Sequence, residues 1–245
     1  MKTAIALEDV SKKYNGVVAL KGASFAVSKG EVFGIVGPSG AGKSTILRIM
    51  DLLEAPTKGR LLIDGQYVAQ TDARAETVRR NIGMVLQKPV VLNRSVANNL
   101  GYSLMIRGWD EHRIAEVVDA ELKRLGLHGR RRTNARNLSG GEMQRLCFAR
   151  ATVHAPSMLL LDEFAANLDP ANVSLLENQV QEYMREDGNR TVVIVTHNMF
   201  QAKRMCTRIA LIWDGEIVEI ADRKKFFENP EDARTAAFVS GESVY

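Results

Sequence analysis

EVFGIVGPSGAGKST, from Glu31 to Thr45, is the stretch on which the fold turns. It opens as an apolar run of strand length, and from Lys43 to Leu53 the apolar residues take helix-like spacing. Between the two lie Gly37 and Gly42, five positions apart, with Lys43 and Ser44 directly after. Glycines let successive backbone N–H groups curl around phosphate oxygens, and a helix that follows aims its positive end at them. Gly37, Pro38, Ser39, Gly40, Ala41 and Gly42 would form that cradle. Lys43 would pair with the β- and γ-phosphates of a nucleotide, and the Ser44 hydroxyl would bind Mg²⁺. Thr45 could add a hydroxyl to the α-phosphate. A glycine turn that merely caps a helix is the plain alternative. The strand before it and the helix after it argue against that.

Upstream of it, Thr3–Val10 and Val17–Val27 alternate or mix β-branched and apolar residues, with Asn15-Gly16 between them as a hairpin signal. Leu61–Asp64 and Tyr67–Ala69 flank Gly65 in the same manner. From about Pro89 to Ala155 strand signals vanish. Ile114, Val117, Val118, Leu122 and Leu125 recur at helical spacing there. Then come Met158–Leu161, Thr191–Thr196 and Ile209–Trp213, separated by helical patterns, which is the βαβ rhythm of a parallel sheet. Glu216–Ala221 reads as a further hairpin partner before a helical tail. The expectation is an α/β core over residues 1–88 and 156–245, carrying an antiparallel β subdomain, with a helical subdomain inserted over residues 89–155.

Bulk properties narrow the function classes. The 245 residues are 45% apolar and 25% charged, ordinary for a globular chain. Lys and Arg exceed Asp and Glu by 33 to 29, too thin a margin to argue for nucleic acid as a partner. Arg130, Arg131 and Arg132 form the densest basic run, read as a solvated loop, with a docking patch as the alternative. Cys147 and Cys206 lack metal-type spacing and fall in helical patterns, as buried small apolar residues do. Glu8 and Asp9 interrupt any signal-peptide core, and the longest apolar runs are strand-sized. Work at a membrane would therefore proceed by docking to something else.

Chemistry-bearing residues gather at the strand ends. Met158–Leu161 runs into Asp162 and Glu163, which places two carboxylates at the sheet's carboxyl edge, where open α/β sheets bind ligands. Asp162 would hold Mg²⁺, directly or through water, and Glu163 would polarise an attacking water as general base. His197 follows Thr191–Thr196, where an imidazole could contact the γ-phosphate. Gln87 follows the apolar run Met84–Leu86, and its amide could report on Mg²⁺ and that water. His112, His128 and His154 lack such a context and read as surface or packing residues. LSGGEMQRL, Leu138–Leu146, sets Ser139, Gly140 and Gly141 before a periodic stretch, which makes a second helix N-terminus fit for an anion. One nucleotide has no obvious use for both ends. The simplest resolution is that the second serves a nucleotide held by another copy of the chain.

With these residues in hand, the chain resembles an ABC-family nucleotide-binding domain over essentially its whole length. LSGGEMQR is similar to the family signature, a far more specific marker than the phosphate loop. Tyr14 resembles the aromatic that stacks on adenine, Gln87 the Q-loop, Asp169 in NLDP the D-loop, and His197 the switch histidine. The resemblance implies a P-loop NTPase (RecA-like) core and a head-to-tail homodimer sandwiching two ATP molecules. Each phosphate loop would face the partner's signature segment. It also implies transmembrane permease subunits gripped through the helical lobe and the segment after Gln87, at the cytoplasmic face of the membrane. A substrate-binding protein outside would be an indirect partner. Phe164, in DEFAANLD, stands where family members usually carry proline, which would stiffen the exit from the acids. The tail RTAAFVSGESVY and the run THNMFQAKRM look like those of oxyanion importers, the tungstate and phosphate group. Tungstate is the favoured cargo, with phosphate, molybdate and polar amino acids as alternatives. A soluble ABC ATPase acting on DNA or ribosomes, or an exporter subunit, would belong to different classes.

Overall fold

The computed structural model describes residues 2–242; residue 1 and the last three residues of the quoted tail, 243–245, lie outside the described residues. The chain opens with β1 (Thr3–Tyr14) and β2 (Val17–Ser28), an antiparallel pair that turns at Asn15 and Gly16, both with positive φ. β3 (Val32–Val36) leads through the glycine loop into α1 (Lys43–Met50). Next come β4 (Lys58–Ile63), β5 (Gln66–Tyr67), α2 (Ala75–Arg79) and β6 (Ile82–Val85). A helical lobe follows with α3 (Val96–Met105), α4 (Glu111–Arg124) and α5 (Gly140–Thr152). The chain returns as β7 (Met158–Asp162), α6 (Pro170–Glu186), β8 (Thr191–Val195), α7 (Met199–Met205) and β9 (Arg208–Trp213). It ends with β10 (Glu216–Asp222), α8 (Arg223–Glu228) and α9 (Ala233–Ser240).

Two sheets result. The antiparallel one has the order β2-β1-β4-β5, and the six-stranded one β10-β9-β3-β8-β7-β6. In the larger sheet β9, β3, β8, β7 and β6 run parallel, and only β10 is antiparallel. β3 sits inside it, because the chain visits β6, β7 and β8 on one side and then crosses to β9 on the other. Ligands bind at such a switch point, outside the carboxyl ends of the strands. β7 and β8 are apolar almost throughout because helices cover both faces of the sheet, so both faces of each strand are buried.

Helix starts follow from local chemistry. Ser95, Asp110, Ser139, Asp169, Asn198 and Asp232 each accept a backbone N–H with the side chain and begin α3, α4, α5, α6, α7 and α9. One core lies between the two sheets around α1, where Phe25 stacks on Phe33 at 5.3 Å. A second lies between the large sheet and the helices on its other face. The helical lobe has its own, built from Leu100, Val118, Leu122 and Leu146 among others. α5 serves two of them: Leu146 and Ala149 face the lobe, Phe148 and Ala151 the sheet. The tail helix α9 is seated by Phe238, which meets Trp213 edge-on.

Some boundaries shift from their expected places. α1 stops at Met50, with Asp51 as its cap and Leu52 in the left-handed region (φ 55°). The strand before Gln87 is Ile82–Val85 and not the run Met84–Leu86. β6 is the sheet's edge and pairs only with β7, ending at Val85 opposite Leu161, so Leu86 leaves the ladder and is 42% exposed. β5 ends at Tyr67 and β8 at Val195.

Candidate active site

Parallel register brings the expected residues to one edge. Val85 pairs with Leu161, Asp162 with Val195, and Ile35 with Val195. The chain segments that leave these strands carry Gln87, Glu163, His197 and the glycine loop. Gly42 caps α1 with φ 104°, and a Cβ there would stand 2.6 Å from the Ala19 carbonyl oxygen. Only glycine fits both the angle and the space.

Lys43 is buried, and its Nζ donates to the carbonyls of Gly37 (2.7 Å) and Pro38 (2.6 Å). Burial lowers the pKa of its ammonium, while the carboxylates of Glu163 and Asp162 oppose that. Ser44 Oγ donates to Asp162 Oδ1 at 3.2 Å. Burial raises the Asp162 carboxyl, the Ser44 bond lowers it, and the negative charge of Glu163 raises it further. A hydroxyl beside a desolvated carboxylate suits Mg²⁺, which takes hard oxygen donors and completes its shell with phosphate oxygens and water. Among the described residues no cluster of three or more His, Cys, Asp or Glu could hold a metal alone. The donor set therefore fits a cation that arrives with phosphates.

Glu163 is the centre of the arrangement. Gln87 Nε2 donates to its Oε2 at 2.7 Å, and His197 Nδ1 lies 3.1 Å from its Oε1. Its own N–H donates to the Val195 carbonyl, and its φ of 46° is left-handed, a costly state for a non-glycine residue. Such strain persists only where the surroundings over-determine it. Here a strand holds one side and Phe164 the other. Phe164 is 1% exposed in the sheet's core, so it anchors the exit by burial where proline would have stiffened it.

Tyr14, at the end of β1, donates its hydroxyl to Glu54, which also pairs with Lys12 at 3.4 Å and with Arg48 of α1 at 3.3 Å. Its phenol pKa is raised by burial and then by the Glu54 bond. Thr45 stands beside it at the start of α1. No spacing in the sequence marks Glu54, which lies 40 residues from Tyr14.

Ser139, Gly140 and Gly141 lie apart from this cluster, and among the described residues no hydrogen bond joins them to the glycine loop. Ser139 and Glu142 form a capping box: Ser139 Oγ accepts from the Glu142 N–H (3.3 Å), and Glu142 Oε2 accepts from the Ser139 N–H (2.9 Å). Behind them stands Asn172. A Cβ on Gly141 would come within 2.5 Å of its side chain. Asn172 donates its amide to Asp169 (2.5 Å) and accepts from Arg145. The structure thus brings Asp169 to the signature segment and not to the phosphate loop. No spacing in the sequence marks Asn172. Gln144 carried a legible signal: it shares a helical face with Gly141, Phe148 and Ala151, all buried, where a polar residue is out of place.

Of the other singled-out residues, Cys147 and Cys206 are buried thiols. His112 and His128 are exposed, whereas His154 packs beside Arg107 and burial pushes its pKa down to about 4. Arg131 pairs with Asp119 at 2.7 Å.

The ABC transporter family model matches residues 20–166. The phosphate import ATP-binding protein PstB 2 of Natronomonas pharaonis is 38% identical over 251 residues, covering 98% of this chain and 88% of that protein. The methionine import ATP-binding protein MetN of Chromohalobacter salexigens is 39% identical over 232 residues, covering 92% of this chain and 67% of that one. Among solved structures, cbiO1 from Clostridium perfringens, part of the ABC transporter complex cbiONQ, superposes with a TM-score of 0.84 at 28% identity, covering 99% and 97% of the two chains. A dimeric ATP-binding cassette in a post-hydrolysis state, bound to ADP and Pi, gives 0.82 at 29% identity, covering 89% and 98%.

Proposed function

The chain belongs to the ABC transporter family and is an ATPase, and from that premise we propose that it energises an oxyanion importer. The observation that carries the chemistry is Glu163, with Gln87 on one carboxylate oxygen and His197 beside the other, next to the loop of Lys43. Phosphoryl transfer needs positioning and charge stabilisation more than covalent chemistry. Lys43 exchanges its loop carbonyls for the β- and γ-phosphate oxygens of ATP. Ser44, Asp162 and Gln87 would hold Mg²⁺, which neutralises charge developing on the phosphates. Glu163 accepts a proton from water as the water oxygen bonds to the γ-phosphorus and the bond to the ADP oxygen breaks. Gln87 and His197 orient that carboxylate and the water. Tyr14 offers its half-exposed ring to the adenine.

Two copies would pair head to tail, so that Ser139, Gly140 and Gly141 of each complete the other's nucleotide site and Asp169 lines the seam. The helical lobe would dock on a permease at the cytoplasmic membrane face. Among the described residues no helix is long and apolar enough to cross a membrane. For the cargo, relatives named for phosphate import support the oxyanion class, while tungstate in particular rests on DEFAANLD and the tail. Methionine importers among the relatives keep amino acids as the second reading. Calorimetry on the cognate binding protein decides: tight methionine binding without tungstate or phosphate binding would sink the oxyanion assignment.

For the ATPase, the test is Glu163→Gln. Phosphate release should fall by about 10²–10⁴-fold, the range a general base supplies. ATP should stay bound, and an ATP-stabilised dimer should accumulate in gel filtration. Wild-type turnover in this variant would remove Glu163 from its role.

A further inference from the structure

We propose that Gln144 is a positioning residue for hydrolysis, whose side-chain amide sets the spacing of the two loops that carry Gln87 and Glu163. The proposal rests on the ATPase assignment of those residues. Gln144 lies in the middle of α5 and is only 2% exposed. Its Nε2 donates to two backbone carbonyls, Leu86 at 3.1 Å and Phe164 at 2.7 Å. Leu86 directly precedes Gln87, and Phe164 directly follows Glu163. One NH₂ group therefore grips the residues that flank the 2.7 Å bond between Gln87 and Glu163.

The geometry suits a spacer. The two N–H bonds of a primary amide diverge at a fixed angle, so carbonyls held by both cannot drift independently. The Phe164 ring is locked in the sheet's core, and Gln144 holds the carbonyl of the same residue. Glu163 is thus suspended between a strand and a doubly anchored neighbour, which keeps its left-handed backbone in place. The amide is poorly suited to stability alone. Its Oε1 is buried and finds no partner among the described residues, a cost that a purely structural side chain need not carry, although removing the amide would also free the Leu86 and Phe164 carbonyls.

The same helix carries the signature segment at its start, and the next residue, Arg145, bonds Asn172, which bonds Asp169. Consecutive residues of α5 therefore hold the loops of Gln87, Glu163 and Asp169.

The test uses the full chain with Gln144→Leu. The expected kcat is about 10–100-fold lower, since a displacement near 1 Å at a reacting centre can cost that much. KM and the affinity for a fluorescent ATP analogue should stay within about twofold. In a Gln87→Ala background the substitution should cost clearly less than in the wild type, because the spacing to Gln87 no longer matters and only the anchoring of Glu163 is lost. Full additivity in that background, an unchanged kcat, or equal loss of binding and turnover would each overturn the proposal. If Gln144→Leu does not fold, Gln144→Met is measured the same way; failure of both to fold would make Gln144 a folding residue and end the proposal. A wild-type chain that hydrolyses no ATP would instead remove the ATPase assignment beneath it.

Discussion

Two helices of this molecule begin at glycine-rich segments, and their surroundings differ. α1 starts at the carboxyl edge of the large sheet, with Lys43 and Ser44 in its first turn and Asp162 and Glu163 close by. α5 starts on the helical lobe, capped by its own Ser139 and Glu142 and backed by Asn172. Both ends offer N–H groups and a positive dipole. Only the first has a lysine, a hydroxyl and two carboxylates from a strand end converging on it; at the second, the Glu142 and Asp169 carboxylates are taken up by the Ser139 N–H and by Asn172. Anion binding is thus a local property of a helix end, while catalysis needs several strand ends to converge. A helix end that lacks them can contribute electrostatics to a site whose chemistry lies elsewhere.

Substitutions at the two helix starts test that contrast. Ser139→Arg should abolish ATP-driven dimerisation while each monomer still binds nucleotide, measured by light scattering and by a fluorescent ATP analogue. Persistent dimers would dissolve the division of labour between the two ends. Lys43→Ala should do the reverse at the first step, weakening nucleotide affinity itself by roughly 10–100-fold, the worth of a charge-assisted contact. Gly141→Ala places a methyl against the Asn172 side chain, which Asp169 and Arg145 hold in place. A net loss of about 1–2 kcal/mol in urea denaturation is expected, overpacking exceeding the helix propensity gained.

The smallest effect concerns Glu142. Its carboxyl is held below the usual glutamate range, first by the Ser139 backbone N–H. A lowered folded value means the stabilisation is present above the unfolded value and lost as pH falls through the folded one. Glu142→Ala should therefore cost about 1 kcal/mol at neutral pH. Urea midpoints of variant and wild type should converge on acidification below the glutamate range. A gap that persisted there would mean the box does not depend on the carboxylate.

Much of this was legible because it is local. Glycines at fixed spacing before Lys43 and Ser44, a Ser–x–x–Glu box at Ser139, and an unbroken apolar run before Asp162 each describe a few neighbouring residues. Backbone sterics and capping act over that range. Hairpin turns such as Asn15-Gly16 were legible for the same reason. Strand limits shifted by a residue or two where pairing decided them, as at Leu86 beyond the sheet's edge. Phe164 shows the limit from the other direction: its place in the sequence says only that proline is missing, and its burial says what stands in for it.

The residues read in order were enough for the kind of machine, an ABC ATPase, through a glycine-rich loop before a helix, a strand ending in two acids and a second glycine-rich helix start. Only the tertiary structure decided which residues act together. Gln87, Glu163 and His197 meet through sheet register, Asp169 turns toward Gly141 through Asn172, and Gln144 reaches two loops far from it in the chain. Hydrogen bonds and contacts between distant segments depend on strand order and helix placement, which no short window of residues encodes.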